Sequence, residues 1–282
     1  IIAVHGLGAN VEWSWTWKDP KDPSRHVKWL QDTNMLPSVI PESRIALYNY
    51  DSRWHADAPR TRLQLCGEDL IRSVRDFREG TEDRPVVFVG HSLGGNVIQH
   101  GLLYANSDDE FRHVATWMAG VIFLGSPLRG SKFQSVSQVV ASVLQFAGSH
   151  DGIVCELAPN DAALRDKLHE FCRMMNTLSL PVSCFFEMYE SDYGKRVLRG
   201  VIKGMVCQVS ITLTEQYTHT KQVVDEISAC IDGANRIALQ ADHFMMNKFS
   251  SPHDRSFQNV SQELRRMCEM AAVVVKQRIR RA

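Results

Sequence analysis

Short apolar runs rich in β-branched residues alternate along the chain with stretches whose apolar positions recur every three or four residues. The pattern therefore predicts strands and helices in turn. IIAVH (1–5) and RIALYNY (44–50) are expected strands, separated by a polar, tryptophan-rich loop. Leu70, Ile71, Val74 and Phe77 mark one face of a helix. PVVFVG (85–90) is apolar throughout, as a strand buried on both faces of a parallel sheet must be, and it runs into a helix expected from about Leu93 to Tyr104. AGVIFLGS (119–126), PVSCFF (181–186) and RIAL (236–239) continue the strands. Val260, Leu264, Met267, Cys268, Ala271 and Val275 then give a closing amphipathic helix with a basic end. The alternation implies α/β layers around a mainly parallel sheet, with the functional site at the carboxyl ends of its strands.

Two segments interrupt this rhythm. Residues 131–180 read as helix, with Val136, Val139, Val140 and Val143 on one stripe and Leu164, Leu168, Phe171, Cys172 and Met175 on another, Asn160 standing as N-cap of the second. This block is expected to be a cap-like excursion over the site. Residues 194–219, basic and then alternating, form an insertion to which the pattern assigns no structure.

At the end of the third predicted strand stands Gly90-His91-Ser92-Leu93-Gly94, a Gly-x-Ser-x-Gly motif with a buried strand before it and a helix after it. A chain that turns from strand to helix within a few residues strains its central residue, and flanking glycines remove the Cβ clashes. The serine is left projecting at the N-terminus of the helix, where unpaired N–H groups favour negative charge, so the N–H of Leu93 is a candidate oxyanion donor. His5-Gly6-Leu7-Gly8 follows the first strand in the form of an oxyanion loop and offers the N–H of Leu7 as the second donor. A serine nucleophile needs a base, and His243 of Asp242-His243-Phe244 follows the last predicted strand, where this arrangement places it. His219 and His253 lie in less defined segments, and His5 and His91 belong to the turns themselves. For the acid, Glu187, Glu190, Asp192 and Asp225 stand in the right part of the chain. Glu187 ranks first because it directly ends its strand, and Glu190 second.

HGLGAN (5–10), YNYDSRW (48–54), FVGHSLGGNVIQHGL (88–102), GVIFLGSPLRGS (120–131), FFE (185–187), ISA (227–229) and ADHFMMNKF (241–249) occur in this order. In these motifs the chain resembles the serine-active-site, lipase-like branch of the α/β-hydrolases, related to GPI-inositol deacylases and fungal lipase-like domains. The resemblance implies an α/β-hydrolase fold with Ser92 as nucleophile, His243 as base, Glu187 as orienting acid, and Leu7 and Leu93 as oxyanion donors. It departs from the family pattern at Leu128, where a histidine is usual, and in the 194–219 insertion, which lengthens the path from the acid strand to the ISA segment. In fungi such domains often form the amino-terminal effector part of large receptors. The implied chemistry is ester hydrolysis through an acyl-enzyme, on a lipid or soluble acyl ester, with no cofactor and no metal. The other readings are a hydrolase-fold signalling domain with little or conditional turnover, and an acyltransferase or thioesterase.

Composition narrows the partners. Lys plus Arg equals Asp plus Glu at 32 each, so no net field draws the chain to nucleic acid or to an anionic membrane. Peripheral membrane contact would depend on local features, such as Trp13, Trp15, Trp17 and Trp29, which could line an acyl site or simply fill a core. Seven cysteines without a C-x-x-C pair indicate free thiols in a reducing compartment, and an intracellular, cytoplasmic location is expected. The chain opens inside a strand, as expected of one α/β-hydrolase domain (1–282) cut from a longer protein.

Overall fold

A computed structural model describes residues 1–6, 9–22, 24–52, 63–129, 162–191, 224 and 226–281. Among the described residues six strands form the main sheet: β1 (Ile2–Val4), β4 (Ala46–Tyr48), β5 (Val86–His91), β6 (Met118–Leu124), β7 (Val182–Glu187) and β8 (Asn235–Leu239). Their order is β4-β1-β5-β6-β7-β8 and every pairing is parallel. The chain leaves β1 towards one side for β4, then returns past it to β5. Strand direction of travel thus reverses at β1 and β5, where an open parallel sheet leaves a crevice beyond its carboxyl ends.

The continuous apolar runs have a simple cause, since successive side chains enter different cores. Val86 and Phe88 of β5 and Val121 and Phe123 of β6 point into one cluster, while Val87, Val89, Ile122 and Leu124 point into the other. The first cluster is covered by α3 (Leu63–Phe77), α4 (Leu93–Ser107), α5 (Arg112–Thr116), α6 (Ala162–Thr177) and the short α7 (Glu226–Ala229), whose Ala229 is buried in it. The second is covered by α8 (Arg255–Ile279) and by residues of the β1–β4 connection. Asp254 caps α8, its carboxylate accepting from the N–H groups of Ser256 and Phe257. The buried stripe Val260, Leu264, Met267, Ala271 and Val275 then lies against the sheet. Among the described residues no helix is long and apolar enough to cross a membrane.

Several expectations change here. The stretch read as a polar loop contains short α1 (Val11–Ser14) and an antiparallel pair, β2 (Thr16–Lys18) with β3 (His26–Lys28), followed by α2 (Leu36–Val39). Trp15 and Trp29 fill a core: both are buried, Trp29 packing edge-on against Phe249 and Phe257 on the α8 side of the sheet. Trp13 is exposed, with Lys18 Nζ over its ring. The block expected as a cap divides. Its second part is α6, a crossover helix whose Phe171 is buried edge-on against Phe123 of β6, so the apolar stripe meets the sheet face and not the strand ends. Residues 131–161, like the 194–219 insertion, lie outside the described residues. Leu128, at the departure from the family pattern, is fully buried in the α3–α6 cluster.

Candidate active site

Ser92 joins β5 to α4 with φ 52° and ψ −127°, a conformation that L-residues adopt only under constraint. The constraint is visible on each side. The Ser92 N–H donates to Leu124 O of β6 at 2.9 Å. On the helix side, a Cβ at Gly94 would fall 2.2 Å from the carbonyl oxygen of Val4, so only glycine lets α4 start this close to β1. Gly6 lies directly beneath, where a Cβ would come 3.0 Å from Ser92 Cβ. Its peptide is braced by His5, whose Nδ1 is 2.9 Å from Gly6 O and whose ring stacks on Tyr50. Burial holds the His5 imidazole below its ordinary pKa.

The loop after β8 brings His243 to the serine, with Nε2 3.0 Å from Ser92 Oγ. Its Nδ1 is 3.8 Å from Glu187 Oε2, and both side chains are almost completely buried. Glu187 is the last residue of β7, in register with Leu239, and its Oε1 accepts the Val224 N–H at 2.9 Å. Gly125, at φ +56°, leaves room for the imidazole, since a Cβ there would come 3.1 Å from His243 Nδ1. The Leu93 N–H is the first of α4, where no carbonyl of the helix can accept it. The ring therefore lies between a hydroxyl it can deprotonate and a carboxylate that favours its charged form.

Of the sequence-predicted residues, the structure brings together Ser92, His243, Glu187 and Leu93. Glu190 is exposed, as is His253. Leu7, Asp192, His219 and Asp225 lie outside the described residues. Asp242 serves the local turn, its Oδ1 accepting the N–H groups of Phe244 and Met245. Two neighbours of the base receive no role beside it from the sequence pattern. His91 Nε2 is 2.9 Å from His243 O, and the His243 N–H donates to Ser191 Oγ at 3.1 Å. Burial, reinforced by the positive charge available to His243, pushes the His91 imidazole well below its ordinary pKa.

A parallel sheet with a strained serine at the β5–α4 turn, faced by a histidine after the last strand, defines an α/β-hydrolase. The chain belongs to the alpha/beta hydrolase family, which it matches over residues 1–255. It is similar to Protein SERAC1 of Homo sapiens, at 26% identity over 216 residues, 72% of this chain and 32% of that protein. The Danio rerio protein of that name is 27% identical over 209 residues, 69% and 31%. The chain thus spans about a third of the length of these curated relatives. Among solved structures, the mature form of Bacillus licheniformis lipase BlEst2 has the same fold. Its TM-score is 0.54 at 17% identity, covering 94% of this chain and 90% of that one. Its propeptide form gives 0.56 at 18%, covering 92% and 49%.

Proposed function

We propose that the protein hydrolyses carboxylic esters through an acyl-enzyme, with Ser92 as nucleophile, His243 as base and Glu187 as the acid that orients it. The observation that carries this reading is the 3.0 Å approach of His243 Nε2 to Ser92 Oγ at the strained turn. Ser92 passes its proton to Nε2 as Oγ bonds to the ester carbon. The oxyanion accepts from the N–H groups of Leu93 and Leu7. Collapse breaks the bond to the alcohol, which takes the proton from Nε2 as it leaves. Water then repeats the sequence on the acyl-serine and releases the acid. Glu187, buried against the ring, lowers the energy of the imidazolium formed at each proton transfer.

The test is covalent labelling with a fluorophosphonate, read by adduct mass, together with hydrolysis of p-nitrophenyl esters from acetate to palmitate. Wild-type protein is expected to carry one adduct on Ser92. Ser92→Ala and His243→Ala are expected to lose it, with turnover down by about 10⁵- to 10⁶-fold. A folded wild-type protein that neither labels nor hydrolyses any ester would overturn the reading.

A further inference from the structure

We infer that His91 and Ser191 are positioning residues which clamp the main chain of His243 and so set the distance between base and nucleophile. The inference rests on the proposed roles of Ser92 and His243. The base sits on a loop beyond β8, and a ring on a loop turns with its backbone. Here both polar groups of that backbone are held. The N–H of His243 donates to Ser191 Oγ at 3.1 Å, four residues past β7, and the carbonyl accepts from His91 Nε2 at 2.9 Å, from the end of β5. His91 and Ser191 are both buried, so water does not compete for these bonds.

The His91 bond has a second property. His91 is covalently joined to Ser92, so two links connect the same short stretch of β5 to the same residue: His91 Nε2 to His243 O, and Ser92 Oγ to His243 Nε2. Together they close a small ring of bonds that includes the reacting pair. The base is held even while Ser92 Oγ is acylated and its own link to the imidazole is broken. A neutral imidazole suits this post. With its proton on Nε2 it has one donor, aimed at one carbonyl, and it adds no positive charge 5.2 Å from the His243 ring, measured between centroids. The burial that keeps His91 deprotonated is therefore part of the clamp. The charges facing it, on His243, Lys248 and His5, oppose its protonation, while the bond to the His243 carbonyl favours it and is outweighed by burial.

Three variants and one spectrum test this. His91→Leu keeps the bulk and removes the donor, His91→Gln restores an N–H donor, and Ser191→Ala removes the other hold. Mispositioning of a reacting group by about 1 Å is worth on the order of 10²-fold. His91→Leu is accordingly expected to slow fluorophosphonate labelling and kcat together by about 10- to 100-fold, with KM changed less than about twofold. His91→Gln is expected to recover most of the loss, and Ser191→Ala to show a smaller loss of the same kind. Labelling of folded His91→Leu at the wild-type rate would overturn the clamp. In wild-type protein with ¹⁵N-histidine, the His91 ring is expected to be neutral and protonated at Nε2 at pH 6.5 and above. A ring protonated at Nδ1, or charged at pH 6.5, would overturn it whatever the activity. If wild-type protein shows the Nε2 signature yet does not label, the hydrolase reading fails and the clamp stands as a structural link.

Discussion

Glu187 and Glu190 stand three positions apart, and the sequence makes either a fair partner for a histidine. Burial separates them: Glu187 is fully enclosed beside His243, whereas Glu190 is exposed to water. Glu187→Gln should therefore lower turnover by about 10²- to 10⁴-fold, by removing the charge that favours the imidazolium. Glu190→Gln should leave it within about twofold, and the steady-state rates of the two variants on one ester decide the matter. Ser92 and His243 were legible because each is announced by its neighbours, a glycine-flanked turn in one case and a strand followed by Asp-His in the other. His91 and Ser191 carry no such signal. Their partner is the main chain of a residue 152 positions from one and 52 from the other, and no local spacing encodes it.

The six strands and the main helices follow from periodicity, because a side chain's depth in either core repeats with the geometry of its element. The pattern cannot say which surface an apolar stripe will meet. The stripe on α6 is expected to cap the site and instead seats Phe171 on Phe123. β2 and β3, each of three residues, are too short to show a period at all. Close helix approach is equally silent in a single sequence. Gly67 of α3 and Gly101 of α4 cross with almost no gap, so that a Cβ at Gly67 would fall 2.5 Å from Gly101 N. Gly67→Ala should push these helices apart and lower stability by about 1–3 kcal/mol, visible as a lower urea midpoint. Gly80→Ala, at φ +74° with open space around it, is the control, where backbone strain alone should cost about 1 kcal/mol.

Taken as one cooperative unit, the fold is bound across its layers by buried titratable groups. Arg278 near the end of α8 donates to the carbonyls of Leu178, Ala115, Thr116 and Met118, and burial pulls its guanidinium down to about 10. At acidic pH the histidines matter more. Burial holds His5, His91 and His100 below the ordinary 6.5, His100 at about 4. Between those values the unfolded chain binds protons that the folded protein refuses, so stability is present in full above pH 6.5 and is lost as pH falls towards 4. Urea midpoints measured at pH 7 and 4.5 should show that fall in wild-type protein and a smaller one in His100→Gln. An equal fall in both would exclude His100 as a contributor.

The order of the site residues along the chain has a consequence for the ribosome. Ser92 and His243 are 151 residues apart, and on synthesis at about 5–20 residues per second the serine precedes its base by roughly 8–30 s. Through that interval the nascent chain holds Ser92 without the histidine that approaches it in the fold. On the proposed roles of the two residues, the serine can be activated only once the segment beyond β8 has been made and has docked.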